Sequence, residues 1–215
     1  MLIVDAAQSA GVLPVNITKM GIDILCASGH KGLYGPSGTG LMILGSDKIK
    51  LNTLIEGGTG SNSFEITQPC FPPDRYESGT INTSGLIALG AGIDFVSGRN
   101  DIYEHELKLC RYAYKELSCI NGVITYGGNY VQGKKTPVLP FNIEGLDSTE
   151  AEEHYNQAGI LMRSGLHCAP LAHQFLGTID SGTIRMSPSV FNKAIEVEKF
   201  IEATKVIVRK NRVKS

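Results

Sequence analysis

Short apolar segments that each end in a polar, glycine-rich turn are the feature that most restricts how this chain can fold. Three such segments lie at positions 2–4, 22–27 and 40–44; Asp5 follows the first and residues 28–32 follow the second. Continuous apolar runs of this length are typical of buried strands. Glycine makes up 25 of 215 residues, about 12% against a usual value of about 7%, so many tight turns are expected. The sequence therefore predicts buried strands joined by loops that bring main chain close to a ligand.

The rest of the chain alternates between predicted helices and strands. The spacing of apolar residues predicts helices over 86–97, 101–117, 147–158 and from 192 onward, and strands over 123–126, 138–143 and 183–187. Residues 51–82 show little periodicity and much Gly, Ser and Pro, so we expect a long irregular segment there. This alternation defines the α/β class, with a seam between two domains near residues 97–100.

Charge, apolar runs and cysteine content exclude several classes of protein. Lys plus Arg (20) nearly balance Asp plus Glu (21), so we expect neither nucleic acid nor a membrane surface as a partner. The longest apolar runs have about five residues, far fewer than the about 20 that cross a bilayer, which favours a soluble cytoplasmic protein. Five cysteines without C-x-x-C spacing argue against a disulfide framework and a zinc ribbon, and no metal site is predicted.

Lys31 and Asp5 each follow a predicted strand, where ligands bind in parallel α/β sheets. A lysine in a glycine-rich turn is often only a solvated loop residue, and an acid at a strand end is often a helix N-cap. A partly desolvated lysine is also a nucleophile suited to Schiff-base chemistry, and a carboxylate can keep a pyridine nitrogen protonated. Taken together, the pair fits the needs of pyridoxal phosphate (PLP).

Five motifs resemble those of one enzyme superfamily. Val-Asp-Ala-Ala-Gln-Ser-Ala-Gly at 4–11, Gly-Ile-Asp at 21–23 and the segment 28–40 are similar to the class V aminotransferases of fold-type I PLP enzymes. Tyr-Glu-Ser-Gly-Thr-Ile-Asn at 76–82 and Met-Arg-Ser-Gly-Leu-His-Cys-Ala-Pro at 162–170 resemble the cysteine desulfurase and selenocysteine lyase branch. The resemblance covers essentially the whole chain.

The resemblance implies a domain organisation. Residues 1–98 would be the C-terminal portion of the PLP-binding large domain, with a truncated and mostly parallel sheet, and residues 99–215 a small α+β domain. Three strands are too few for a doubly wound sheet. We therefore expect this chain to be the C-terminal part of a longer enzyme, inactive alone and binding PLP weakly or not at all.

The resemblance also implies roles for particular residues. Lys31 would bind PLP covalently and move the substrate proton, Asp5 would bond the pyridinium nitrogen, and Gln8 the phenolic oxygen. The phosphate would be held by Ser28 and His30, with Thr80 reaching the phosphate of the other subunit in a homodimer with shared active sites. Arg185 would bind the substrate carboxylate, with Arg163 a second candidate.

Cys168 is the candidate nucleophile. Free cysteines are mostly packing residues, and we expect this for Cys26 and Cys110 on apolar elements. Cys168 instead lies in a polar loop with His167 beside it and Arg163 near it in sequence, and such surroundings favour a reactive thiolate. The resemblance implies that this thiolate takes sulfur from the substrate and becomes a persulfide.

The leading hypothesis is thus a PLP-dependent cysteine desulfurase that converts L-cysteine to L-alanine and passes sulfur to an acceptor protein. A class V aminotransferase or a selenocysteine lyase is the alternative within the superfamily. An alternative of another class is a non-catalytic folded fragment or dimerisation partner. An aminotransferase would not need Cys168, so its place in the Leu-His-Cys-Ala-Pro loop favours sulfur or selenium chemistry.

Overall fold

In the computed structural model, which describes residues 1–133 and 135–214, the chain divides into two units between Asn100 and Asp101. Each unit has its own small sheet and its own cluster of buried apolar residues. Over the described part of the chain, no helix has the length and apolar character that a membrane crossing requires.

The first unit is built on a three-stranded sheet in the order β1–β2–β3. Its elements are β1 (Ile3–Asp5), α1 (Ile17–Met20), β2 (Ile24–Ser28), β3 (Gly40–Leu44), a 3-10 turn (Asp74–Tyr76) and α2 (Thr83–Ser97). The three predicted strands are confirmed. β1 runs parallel to β2, whereas β3 runs antiparallel to it, with Ser28 opposite Gly40.

The central strand of this sheet is the buried one. Ile24 and Leu25 are almost fully buried, while Ile3 on β1 and Ile43 on β3 are exposed. Residues 51–82 form the irregular segment that their composition predicted, apart from the 3-10 turn. The small core of the unit gathers around β2 and the inner face of α2, where Leu89 is buried.

The second unit pairs an antiparallel sheet, in the order β4–β5–β6, with helices. Its elements are α3 (Ile102–Leu117), β4 (Val123–Thr125), β5 (Leu139–Ile143), α4 (Ser148–Gln157), α5 (Pro170–Leu176), β6 (Ile184–Met186) and α6 (Ala194–Lys214). Across both units the predicted helices and strands are confirmed, with bounds shifted by at most three residues. The sequence did not predict the short helices α1 and α5.

The core of the second unit is larger and contains a cluster of aromatic rings. Phe141 on β5 is fully buried, with its ring centroid 6.1 Å from that of Tyr155 on α4 and 5.6 Å from that of Phe200 on α6. The buried Tyr155 hydroxyl is paired at 2.8 Å with the hydroxyl of Thr204. The central strand β5 is thereby packed against the two helices α4 and α6. The strand β6 is held in turn by its pairing with β5.

We expect Phe141→Ala to lower the free energy of unfolding by about 3–5 kcal/mol, because it removes a buried ring from this cluster and leaves a cavity. Ile124→Ala on the neighbouring strand is the control: this side chain is 41% exposed, and its loss should cost less than about 1 kcal/mol. Urea unfolding followed by tyrosine fluorescence measures both. Equal effects of the two substitutions would contradict the described packing.

Candidate active site

Two of the predicted cofactor residues lie at one edge of the first sheet. Asp5 ends β1 and Ser28 ends β2, and because these strands are parallel their carboxyl ends share an edge. The Asp5 carboxylate accepts a 2.9 Å hydrogen bond from the Ala7 amide. This bond lies within the loop that precedes α1. The Asp5 carboxylate thus caps a single helical turn, in which the Ala10 amide donates to the Ala6 carbonyl at 2.9 Å, and not a full helix.

The turn after β2 is fixed through its main chain. The Gly29 amide donates to the Thr39 carbonyl at 2.9 Å, and the Gly35 amide donates to the Gly29 carbonyl at 2.7 Å. A β-carbon on Gly29 would lie 2.2 Å from the Thr39 hydroxyl, so only glycine fits there. Inside this turn, Ser28 Oγ and His30 Nδ1 are 3.0 Å apart. The two predicted phosphate ligands thus form one hydrogen-bonded pair, and Lys31 follows them with an exposed side chain.

The loop after β1 and the turn after β2 meet through two glycines. A β-carbon on Gly11, whose φ is +84°, would lie 2.0 Å from the Gly32 carbonyl oxygen. A β-carbon on Gly32 would lie 2.4 Å from the Ala10 carbonyl oxygen. This backbone contact holds the loop that contains Gln8 against the turn that contains Lys31. The sequence did not predict this contact, because a glycine does not indicate which other segment of the chain it will contact.

Thr80 lies on a separate segment of the first unit. Over the described residues, no hydrogen bond or ion pair joins it to the other cofactor candidates. It follows Gly79, whose α-carbon is 2.9 Å from the position that a β-carbon on Gly58 would take. Thr80 is exposed and directly follows a main-chain contact between Gly79 and Gly58 that the sequence did not predict.

In the second unit, Cys168 occupies a strained turn. His167 and Cys168 have φ values of +52° and +60°, and the Ala169 amide donates to the Leu166 carbonyl at 2.9 Å. This is the pattern of a type I′ turn, which normally contains Asn and Gly because other residues rarely adopt positive φ. The turn leaves Cys168 exposed. By contrast, Cys110 is fully buried, as predicted for a packing residue, and Cys26 is half-buried.

Arg163 and Arg185 form a pair of cations beside that turn. They are directly opposite each other in an antiparallel bridge, with the Arg185 amide donating to the Arg163 carbonyl at 2.8 Å. Side chains opposite each other in a bridge share a face. Among the described residues, no carboxylate forms an ion pair with either arginine, and the buried Nε of Arg185 has no hydrogen-bond partner. Two guanidinium groups without a carboxylate are suited to binding an anion.

The pKa of Arg185 depends on the groups around its guanidinium. Burial lowers this pKa, and so does the like charge of Arg163, whereas attraction to the Cys168 thiolate raises it. The Cys168 side chain therefore lies near the Arg185 guanidinium. The structure thus brings together three of the predicted residues of the second unit.

His167 is held in one orientation. Its Nε2 lies 2.9 Å from the Thr183 carbonyl oxygen, so Nε2 has the hydrogen and Nδ1 is left as an acceptor. Burial lowers the pKa of His167, and the nearby charge of Arg185 lowers it further. Both effects favour the neutral form of the imidazole. Its buried Nδ1 has no partner within the described part of the chain.

The comparison with known families agrees with this geometry. The family model for class-V aminotransferases matches residues 1–200, and the chain belongs to this family. Enzymes of this family use PLP as cofactor. The exposed lysine, the serine–histidine pair and the glycine contact of the first unit fit such a group. The resemblance seen in the sequence is confirmed.

More particular similarities are to cysteine desulfurases. A probable cysteine desulfurase of Methanothermobacter thermautotrophicus is 33% identical over 208 residues, which are 92% of this chain and 50% of that protein. The apo structure of a Thermococcus onnurineus cysteine desulfurase matches with a TM-score of 0.82 and 32% identity, covering 97% of this chain and 52% of that one. The Escherichia coli cysteine desulfurase CsdA matches with a TM-score of 0.84 and 26% identity, with the same coverage of both chains.

Two facts follow from these matches. The chain spans about half the length of the curated relatives it matches. The predicted α/β fold class is confirmed.

We expect Gly32→Ala to destabilise the first unit by about 1–3 kcal/mol, because the new methyl group meets the Ala10 carbonyl and overpacks the contact. Gly90→Ala is the matched control: Gly90 lies inside α2, and a β-carbon there would meet nothing within 4 Å. That substitution should stabilise the unit by about 0.5–1 kcal/mol, since alanine favours a helix interior over glycine. Thermal unfolding followed by circular dichroism compares them, and a neutral Gly32→Ala would contradict the glycine contact.

Proposed function

We propose that this chain provides the lysine and the cysteine of a PLP-dependent cysteine desulfurase. The enzyme converts L-cysteine to L-alanine and leaves the sulfur on Cys168 as a persulfide. The observation that supports this best is the position of Cys168: an exposed thiol beside two arginines that have no carboxylate partner among the described residues. An aminotransferase has no need of a thiol next to a site for the substrate carboxylate.

The sulfur transfer is balanced without a further oxidant or reductant. The Cys168 thiolate attacks the sulfur of the substrate, so a sulfur–sulfur bond forms while the bond from that sulfur to the substrate β-carbon breaks. The electron pair of the broken bond goes to the carbon fragment, which takes up a proton and leaves as L-alanine. PLP, when bound, supplies the electron sink for this chemistry. Arg185 binds the substrate carboxylate, with Arg163 beside it.

The residues of the first unit hold the cofactor in this proposal. Lys31 forms the covalent link and moves the proton at the substrate α-carbon, for which its exposed amine at the end of a glycine-rich turn is suited. The Asp5 carboxylate bonds the ring nitrogen and Gln8 the phenolic oxygen. Ser28 and His30, already a hydrogen-bonded pair, bind the phosphate.

The proposal extends to domains and partners. Residues 1–98 belong to the cofactor-binding domain and residues 99–215 to the small domain. Thr80 binds the cofactor phosphate of the second subunit in a homodimer. The persulfide on Cys168 passes to a sulfur-acceptor protein, which the exposure of that side chain permits.

The test uses a hybrid enzyme in which this chain replaces the matching half of the Methanothermobacter relative. With PLP and L-cysteine, the hybrid should form a persulfide on Cys168, identified by peptide mass spectrometry, and release L-alanine. Cys168→Ser should abolish the persulfide and reduce alanine formation at least about tenfold, because the attacking nucleophile is lost.

Cys119→Ser is the matched control, since Cys119 is also exposed but lies in the second unit just after α3, outside the arginine pair. It should leave both products unchanged. Undiminished persulfide and alanine in Cys168→Ser would overturn the desulfurase proposal. An amino-group transfer to a keto acid that survives this substitution would favour the aminotransferase alternative.

A further inference from the structure

The turn that contains Cys168 needs a contact from outside itself. Two consecutive residues with side chains, His167 and Cys168, have positive φ, a conformation in which a free turn would favour glycine or asparagine. The main-chain hydrogen bond from the Ala169 amide to the Leu166 carbonyl closes the turn. Because this bond involves no side chain, it does not explain why His167 and Cys168 occupy the turn in place of glycine or asparagine. Conformations of this kind persist only where the surroundings over-determine them.

The His167 side chain provides such a contact. Its Nε2 donates to the Thr183 carbonyl, the oxygen that also accepts the Gly165 amide at 3.1 Å. In return the Thr183 amide donates to the Gly165 carbonyl at 3.1 Å. A side chain inside the turn and the main chain just before it are therefore both fixed to one residue next to β6.

That attachment point is itself held from the core. The side-chain amide of Asn142 on β5 donates to the Gly182 carbonyl at 2.9 Å, and its oxygen accepts the Ile184 amide at 3.3 Å. Asn142 thus binds the main chain on both sides of Thr183. Thr183 is 1% exposed, so its carbonyl is part of a rigid interior segment.

His173 lies next to the imidazole of His167. The two rings have centroids 5.9 Å apart, and the buried His173 Nδ1 lies 2.8 Å from the Thr178 hydroxyl. The His173 amide donates to the Ala169 carbonyl, which ties α5 to the end of the turn. The ring of His167 is therefore bonded to a fixed acceptor and lies next to a fixed ring.

We propose that His167 is a positioning residue: through its bond to the Thr183 carbonyl it holds the strained turn, and thereby keeps the Cys168 thiol beside Arg185. The inference rests on the proposed function in one respect: that function explains why the position of the thiol matters. Loss of the bond lets the turn relax and moves the Cys168 side chain away from the Arg185 guanidinium.

Two substitutions at His167 separate the side-chain bond from the backbone preference. A glutamine amide reaches about as far as Nε2 and can still donate to the Thr183 carbonyl, whereas an asparagine amide is too short. Asparagine, however, adopts positive φ more readily than other residues with side chains. If backbone preference alone stabilises the turn, His167→Asn should preserve it. If the side-chain bond holds the turn, His167→Gln should preserve it and His167→Asn should not.

The measurement is the rate at which iodoacetamide alkylates each cysteine of the 215-residue chain at pH 7.5, followed by peptide mass spectrometry. His167→Asn should slow the reaction of Cys168 about two- to fivefold, the range that one partly exposed ion pair is worth. His167→Gln should restore the wild-type rate. The difference should shrink in 1 M salt, because salt screens the attraction between thiolate and guanidinium.

The controls lie in the same chain. Cys70 and Cys119 are exposed and should react at unchanged rates in every variant. His154→Asn alters a half-buried histidine on α4 whose Nε2 lies 3.8 Å from Glu150, and it should leave Cys168 unaffected. If all cysteines react faster in His167→Asn, that variant is unfolded, and His167→Gln decides: the wild-type rate supports the proposal and a slowed Cys168 contradicts it.

Wild-type reactivity of Cys168 in a folded His167→Asn would overturn the positioning role. The alkylation needs neither PLP nor L-cysteine, so its result does not depend on the desulfurase reaction. A chain that forms no persulfide but shows this pattern of rates would refute the proposed function and leave the role of His167 intact.

Discussion

A close approach of two main-chain segments, possible only because Gly11 and Gly32 have no side chains, is the constraint on which the first unit depends. The parallel pairing of β1 with β2 brings Asp5 and Ser28 to one edge of the sheet. It does not by itself bring the following loops together. The glycine contact does so, and it fixes the loop of Gln8 against the turn of Lys31. Residues far apart in the sequence become parts of one candidate cofactor site.

In the second unit, polar groups bring the candidate site residues together. Arg185 on β6 and Arg163 opposite it present two cations on one face, and the Thr183 carbonyl beside them holds His167. The candidate nucleophile Cys168 and the candidate substrate ligand Arg185 are thus both fixed to the same edge of one sheet. Burial and the neighbouring arginines lower the pKa of His167, and its Nε2 donates to the main chain at Thr183.

Apolar runs predicted the strands well, because burial of a central strand such as β2 leaves a clear mark in the sequence. They did not encode strand direction, and β3 proved antiparallel to β2. The helices α1 and α5 were missed because four and seven residues span only about one and two helical turns, too few to show a repeating apolar pattern, although Asn16 and Gly177 cap them in the expected way. The turn at Cys168 was unpredictable, since its residue types do not favour positive φ and the bond that compensates comes from a distant carbonyl.

The most direct test of the account asks which lysine binds the cofactor. The hybrid enzyme is mixed with PLP, reduced with borohydride and digested, and the modified lysine is identified by mass spectrometry. The account predicts that the reduced cofactor is found on Lys31 and that Lys31→Ala removes the modification. Modification of Lys19 or Lys48 in its place, or to the same extent, would contradict the assignment of this turn as the cofactor site.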